Sequence, residues 1–103
     1  MIEIRQTENY SKWFDSLRDR NAKMRIIIRI RRLSLGNPGD VKPIGGGISE
    51  LRIKYGPGYR IYFVKRNNQI IILLAGGDKS TQSQDIKKAR EIYIALEGQN
   101  EKN

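Results

Sequence analysis

The stretch Glu50-Leu-Arg-Ile-Lys-Tyr-Gly-Pro-Gly-Tyr-Arg-Ile-Tyr-Phe63 decides the fold. Two alternating runs flank Gly56-Pro57-Gly58, which predicts a β-hairpin. On the first strand Leu51, Ile53 and Tyr55 share one side, and Glu50, Arg52 and Lys54 the other. On the second, Tyr59, Ile61 and Phe63 oppose Arg60, Tyr62 and Val64. A three-residue loop pairs Tyr55 with Tyr59, Ile53 with Ile61 and Leu51 with Phe63, and so collects the apolar residues on one face. A two-residue Pro57-Gly58 loop would mix the faces and is rejected. The expected register sets Lys54 beside Arg60 and Arg52 beside Tyr62. Like charges directly across a strand pair are destabilising. A sheet face carrying cations and a tyrosine therefore points to a polyanion as its partner.

Working outward, Ile2 and Ile4 alternate with Glu3 and Arg5, which predicts a short strand over residues 2–6. Thr7 is a suitable N-cap. Tyr10, Trp13, Phe14 and Leu17 at i, i+3, i+4, i+7 predict an amphipathic helix over residues 8–19, its aromatic stripe forming core. A second helix is expected over residues 22–35, with Ala22, Ile26, Ile30 and Leu33 facing inward. Arg25, Arg29 and Arg32 form a second stripe, which is either a solvated face or a phosphate-contacting ridge. Gly36-Asn37-Pro38-Gly39 ends that helix, and residues 36–49 read as loop. Within it Gly45-Gly46-Gly47 lacks the strand-to-helix setting of a nucleotide-binding loop. Lys42 is a candidate phosphate contact.

Beyond the hairpin, Asn67-Asn68 marks a turn, and Gln69–Ala75 is apolar on both faces, as a central strand requires. Gly76-Gly77 suggests a close backbone turn. Thr81 with Gln84 fits a capping box, so a last helix should begin near residue 82, with Ile86, Ala89, Tyr93 and Leu96 inward. The expected order is β-α-α-β-β-β-α. This is an α+β domain: an N-terminal strand, a helical hairpin, a three-stranded antiparallel meander and a C-terminal helix. One domain is expected over residues 1–97, followed by a polar tail over residues 98–103.

The chain has 103 residues, no cysteine, no histidine and a net charge of +9. One modest core is within reach of this length. Disulfides and a histidine base are excluded, and neither a metal nor a cofactor is expected. Residues 1–35 carry nine Lys/Arg against four Asp/Glu, and residues 36–66 six against two, whereas residues 67–103 balance at five each. The positive field belongs to the first two-thirds of the chain and favours phosphate backbones. The plain alternative is a soluble basic protein with no polyanion partner. Met1-Ile-Glu-Ile is followed at once by charge, and Ile70–Ala75 is too short to span a bilayer. No signal peptide and no membrane are expected, and the cytoplasm is the default location.

The helical hairpin, then Glu50-Leu51-Arg52, Gly58-Tyr59-Arg60-Ile61-Tyr62 and Gly77-Asp78-Lys79-Ser80-Thr81-Gln82 before a helix, together resemble a RelE/ParE-superfamily toxin. The likeness is greatest to the phage-related, HigB-like branch of addiction-module killer proteins, and it covers residues 2–96. Such toxins belong to type II toxin–antitoxin modules. RelE-like and HigB-like members cleave mRNA at the ribosome, and ParE-like members poison DNA gyrase. The resemblance implies catalytic roles for Arg60 and Lys79, with Arg52 or Lys54 from the preceding strand. It implies a cognate antitoxin as partner, DNA-binding and encoded nearby, and mRNA on the ribosome as substrate. Near the position of the family's tyrosine early in the last helix this sequence has Asp85, so that role is either unfilled or moved, with Tyr62 the candidate.

Cleavage by 2′-hydroxyl attack needs a base, charge on the phosphorane and an acid, and no metal. Arg60 and Arg52 suit the phosphorane because a guanidinium grips two oxygens. Lys79 and Lys54 are candidates for proton transfer, since neighbouring cations depress a lysine pKa. Glu50 is an alternative base, provided its side chain reaches that face. Tyr62 is a candidate to stack on a base or donate a proton. Ser80 and Thr81 are either phosphate contacts at a helix N-terminus or caps. As an exposed strand residue, Arg60 is expected to be removable for about 0.5 kcal/mol. Three readings follow: a ribosome-dependent endoribonuclease, a gyrase poison and a non-catalytic RNA-binding module. The cationic strand face favours the first over the second.

Overall fold

The computed structural model describes residues 1–101. Its order is β1 (Glu3–Gln6), α1 (Glu8–Ser16), α2 (Arg20–Ser34), β2 (Val41–Gly45), β3 (Ile48–Ile53), β4 (Tyr59–Arg66), β5 (Ile70–Asp78), a 3₁₀ turn (Lys79–Thr81) and α3 (Gln82–Glu101). The five strands form one mixed sheet in the order β1-β5-β4-β3-β2. β1 runs parallel to β5, and the other pairs are antiparallel. The α+β class is as expected.

β5 is central and covered on both faces, which is why its sequence does not alternate. Ile71 and Leu73 join Tyr10, Ala22, Ile26, Leu33, Leu51, Ile53 and Ile61 in the core beneath α1 and α2. Ile72, Leu74 and Ala75 join Ile48, Tyr62 and Val64 beneath Ile86, Ala89, Tyr93 and Leu96 of α3. The helices begin at side-chain caps, Thr7 for α1 and Asp19 for α2. α1 ends earlier than its pattern suggested, because Leu17 leaves the helix with extended backbone.

Four expectations are corrected. The segment expected to be loop contains β2, an edge strand that pairs Val41 with Leu51 and Lys42 with Glu50. The hairpin register differs by two residues: Tyr59 pairs with Ile53, and Ile61 with Leu51. Its connection is Lys54–Gly58, with positive φ at Gly56 and Gly58. Tyr55 leaves the ladder because its hydroxyl donates to Asp19 at 2.9 Å and the Arg25 guanidinium lies 4.4 Å from its ring centre. A shift of two keeps every side chain on its expected face, but Arg52 now faces Arg60, and Glu50 faces Tyr62. Third, Gly76-Gly77 forms no turn, since β5 runs straight through to Asp78. Fourth, the cap before the last helix is Asp78 with Thr81, three residues ahead of the expected box. α3 continues through Gly98 to Glu101, and residues 102–103 of the expected tail lie outside the described residues.

A bulge between Tyr62 and Phe63 of β4 and their partners Ala75 and Leu73 turns the end of β5 by one step. Gly76 then faces the helical hairpin, where a methyl carbon would lie 2.2 Å from the Trp13 ring. Gly77 faces α3, where it would lie 1.8 Å from an Asp85 carboxylate oxygen. These glycines serve close approach rather than chain reversal.

Candidate functional site

On the α3 side of the sheet, alternation and register line up Arg52, Arg60 and Gly77 across β3, β4 and β5. Asp40 continues the line at the outer edge, since its carbonyl accepts from the Arg52 backbone N–H. The next line is Lys42, Glu50, Tyr62 and Ala75. α3 covers the second line as far as Glu50 and leaves the β3 end of the first, at Arg52, open. The result is a cleft of about 330 Å³ bordered by Arg52, Lys54, Arg60 and Lys79, with Asp40 its single carboxylate. Lys79 reaches it because the 3₁₀ turn packs on the hairpin tip, its backbone N–H directed at the Pro57 carbonyl. A larger groove of about 510 Å³ lies between the start of α1 and the end of α3. Its walls are chiefly apolar and its Arg66 is ion-paired to Glu97, so it holds no comparable chemistry.

Arg60 is the anchor. Its side chain is 15% exposed and donates to Glu50 Oε1 at 2.8 Å. Glu50 is 1% exposed, and its second oxygen accepts from Gln82 Nε2 at 2.9 Å. A buried charge needs such pairing. The Nε–H of Arg60 is buried and has no hydrogen-bond partner, so what the residue presents to the cleft is its charge. Arg52 donates to Asp40 at 2.9 Å, and that contact is the main reason the Asp40 carboxyl is held below the usual range. The two strand arginines thus carry separate carboxylates. Lys54 and Lys79 are exposed at the mouth.

The remaining candidates divide. Tyr62 is fully buried beneath α3 and reaches no substrate, which corrects the stacking role. Its hydroxyl is unpartnered, and burial, followed by the Glu50 carboxylate, raises its pKa far above that of a free tyrosine. Arg29 is no phosphate ridge either. Its guanidinium donates to the carbonyls of Arg52 (2.7 Å), Pro38 (3.2 Å) and Asp40 (3.3 Å), tying α2 to the edge of the sheet. Arg25 and Arg32 remain exposed. Ser80 and Thr81 are caps: the Ser80 hydroxyl bonds Asp78, and that of Thr81 bonds Asp85 at 2.5 Å. Two carboxylates at this helix start repel phosphate. Lys42 is exposed on β2, on the cleft's face.

Sequence reasoning missed Asp40, which sits in a segment without periodicity, and Gln82, whose partner lies 32 positions away. The signal for Glu50 was an isolated carboxylate within a basic alternating strand.

A five-stranded mixed sheet with a helical hairpin on one face and this cationic cleft on the other is compatible with a RelE-like α+β fold. The chain matches the family described as Phage derived protein Gp49-like (DUF891) over residues 12–97. A Haemophilus influenzae protein, described as an uncharacterized protein, is 48% identical over 95 residues, covering 92% of this chain and 96% of that one. The chain belongs to the Gp49-like phage-derived family, which falls in general within the RelE/HigB-like toxin superfamily. No helix among the described residues is long and apolar enough to cross a membrane.

Proposed function

We propose that the protein is the toxin of a type II toxin–antitoxin module, of the HigB-like addiction-module killer branch, and that it cleaves mRNA on the ribosome. The observation that carries this reading is the convergence of Arg52, Lys54, Arg60 and Lys79 on one cleft. Against the two carboxylates paired with Arg52 and Arg60, the four cations leave an excess of positive charge that opposes the charge of a phosphorane. Arg60, oriented by Glu50, adds its charge to the inner wall of the cleft, and Arg52 faces a phosphate oxygen nearer the mouth. Lys79 and Lys54, exposed at the mouth, move the protons of the attacking 2′-hydroxyl and the leaving 5′-oxygen. Glu50 holds Arg60 rather than acting as the base, because both its oxygens are engaged in the interior. The ribosome supplies substrate geometry, an effect worth about 7–11 kcal/mol in favourable cases. The partner that silences the toxin is an antitoxin encoded nearby, and the working compartment is the cytoplasm.

The test is induction in cells followed by mapping of transcript 5′ ends on translated and untranslated mRNAs. Cleavage confined to translated messages is expected. Growth arrest with intact transcripts would replace this reading with gyrase poisoning.

A further inference from the structure

A second cleft adjoins the first. It measures about 280 Å³ and is bordered by Arg25, Ile28, Arg29, Arg32, Ile53 and Lys54. Ile53 and Lys54 line both clefts, so the two share a wall. Arg29 forms one side with its guanidinium already committed to backbone carbonyls. Arg25, Arg32 and Lys54 stand exposed around the rim, whereas Ile28, 42% exposed, supplies apolar surface between them and the buried Ile53 closes the floor. The nearest carboxylates are already occupied: Asp40 by Arg52, and Asp19 by the start of α2 and the Tyr55 hydroxyl. Arg25 lies over the Tyr55 ring and near Asp19, and Lys54 near Asp40, but no salt bridge is formed by Arg25, Arg32 or Lys54 with the described carboxylates. The rim therefore keeps an excess of positive charge beside exposed hydrocarbon, and a bound nucleotide relieves both costs. Its base covers Ile28, and its phosphate meets the rim.

Resting on the endoribonuclease reading, we propose that this cleft is a nucleotide subsite. It seats the base and phosphate of a nucleotide flanking the scissile bond, and Lys54 bridges the two positions. The single strand then runs from Arg60 and Lys79 across Lys54 toward Arg25 and Arg32. This path gives the arginine stripe of α2 a use that the cleavage cleft alone does not.

The test uses the full chain and 2′-O-methyl RNA oligonucleotides, which cannot be cleaved, lengthened one nucleotide at a time from either end. Affinity is read by fluorescence anisotropy. In wild type one added nucleotide should tighten binding about tenfold, and an abasic residue there should cancel the gain. R25A/R32A should abolish that step and make the salt dependence shallower by about 0.7, the value for one phosphate no longer neutralised. Thermal melting checks that the variant is folded. Identical length profiles and salt slopes for R25A/R32A and wild type would overturn the subsite. So would indifference to the abasic residue, or displacement of RNA by polyglutamate as effective as by RNA of matched charge. Arg60→Lys separates the two readings. If it weakens oligonucleotides of every length while R25A/R32A matches wild type, the subsite falls and the cleavage cleft stands. If R25A/R32A removes the step and Arg60→Lys changes nothing, the cleavage cleft falls instead.

Discussion

Arg52 and Arg60 face each other directly across β3 and β4, and each turns to its own carboxylate, Arg52 to Asp40 and Arg60 to Glu50. Two guanidinium groups opposed on one sheet face would repel. The pairing holds them a fixed distance from one another while leaving donors for a third group. The two pairs differ in depth: Asp40 is a third exposed, whereas Glu50 is sealed.

That difference makes Arg60 costly to remove. Arg60→Ala would leave Glu50 buried with only neutral neighbours, Gln82 and the Tyr62 hydroxyl, and an uncompensated buried charge costs about 3–5 kcal/mol. A loss of about 3 kcal/mol in urea unfolding is expected, well above the figure for an exposed strand arginine. Arg60→Lys keeps a charge beside Glu50 and loses the two-oxygen grip. It should fold, melt close to wild type and arrest growth weakly. Full toxicity in Arg60→Lys would remove the guanidinium from the mechanism.

Lys79 lies at the cleft mouth, exposed, on a turn held by its backbone. Lys79→Ala should be defective without loss of stability. If Lys79 moves a proton, Lys79→Arg should be nearly as defective, because a guanidinium stays protonated. The readout is transcript cleavage at matched protein levels. Wild-type cleavage by Lys79→Arg would reassign the residue to electrostatics alone.

Gly76 and Gly77 should respond unequally to alanine. At Gly76 the added carbon meets the body of the Trp13 ring, which is packed between Tyr10 and Tyr59 and has little room to retreat. A loss of about 1–3 kcal/mol is expected, as for an overpacked core. At Gly77 it meets the tip of Asp85, which can swing away at the cost of its bond to Thr81. Chemical denaturation of both variants should find Gly76→Ala the less stable. The reverse order would show that the Asp85 seat is the tighter of the two.

Asp85 also sets a pH dependence. Burial, followed in smaller part by Asp78, raises its carboxyl above the ordinary aspartate range, and the Thr81 hydroxyl opposes the shift. A raised carboxyl favours the folded state when protonated. Its contribution is complete below the unfolded value, about 3.9, and is lost as pH rises through the higher folded value. Asp85→Asn stays neutral and can still accept from Thr81. It should therefore melt above wild type at neutral pH, and the gap should close toward about pH 3. A pH-independent gap would mean that packing, not ionisation, separates the two.

The alternation of residues 50–63 determined by itself which side chains share a face, and it did so despite a register two residues out, because a period of two is blind to a shift of two. The doubly apolar run Gln69–Ala75 likewise marked β5 as central, and the stripes of α1, α2 and α3 marked their inner faces. Other features depended on distance in space. Glu50 and Gln82 meet across 32 positions, and nothing local to either residue encodes that bond. Arg29 repeats at the spacing of Arg25 and Arg32 yet is drawn under the sheet edge, because periodicity assigns a face and cannot say which carbonyls await it. Tyr62 alternates with the outward residues but is buried, since the outward face of β4 is itself the floor beneath α3. A strand pattern reports two sides, and only the packing of the second layer decides whether either side meets water.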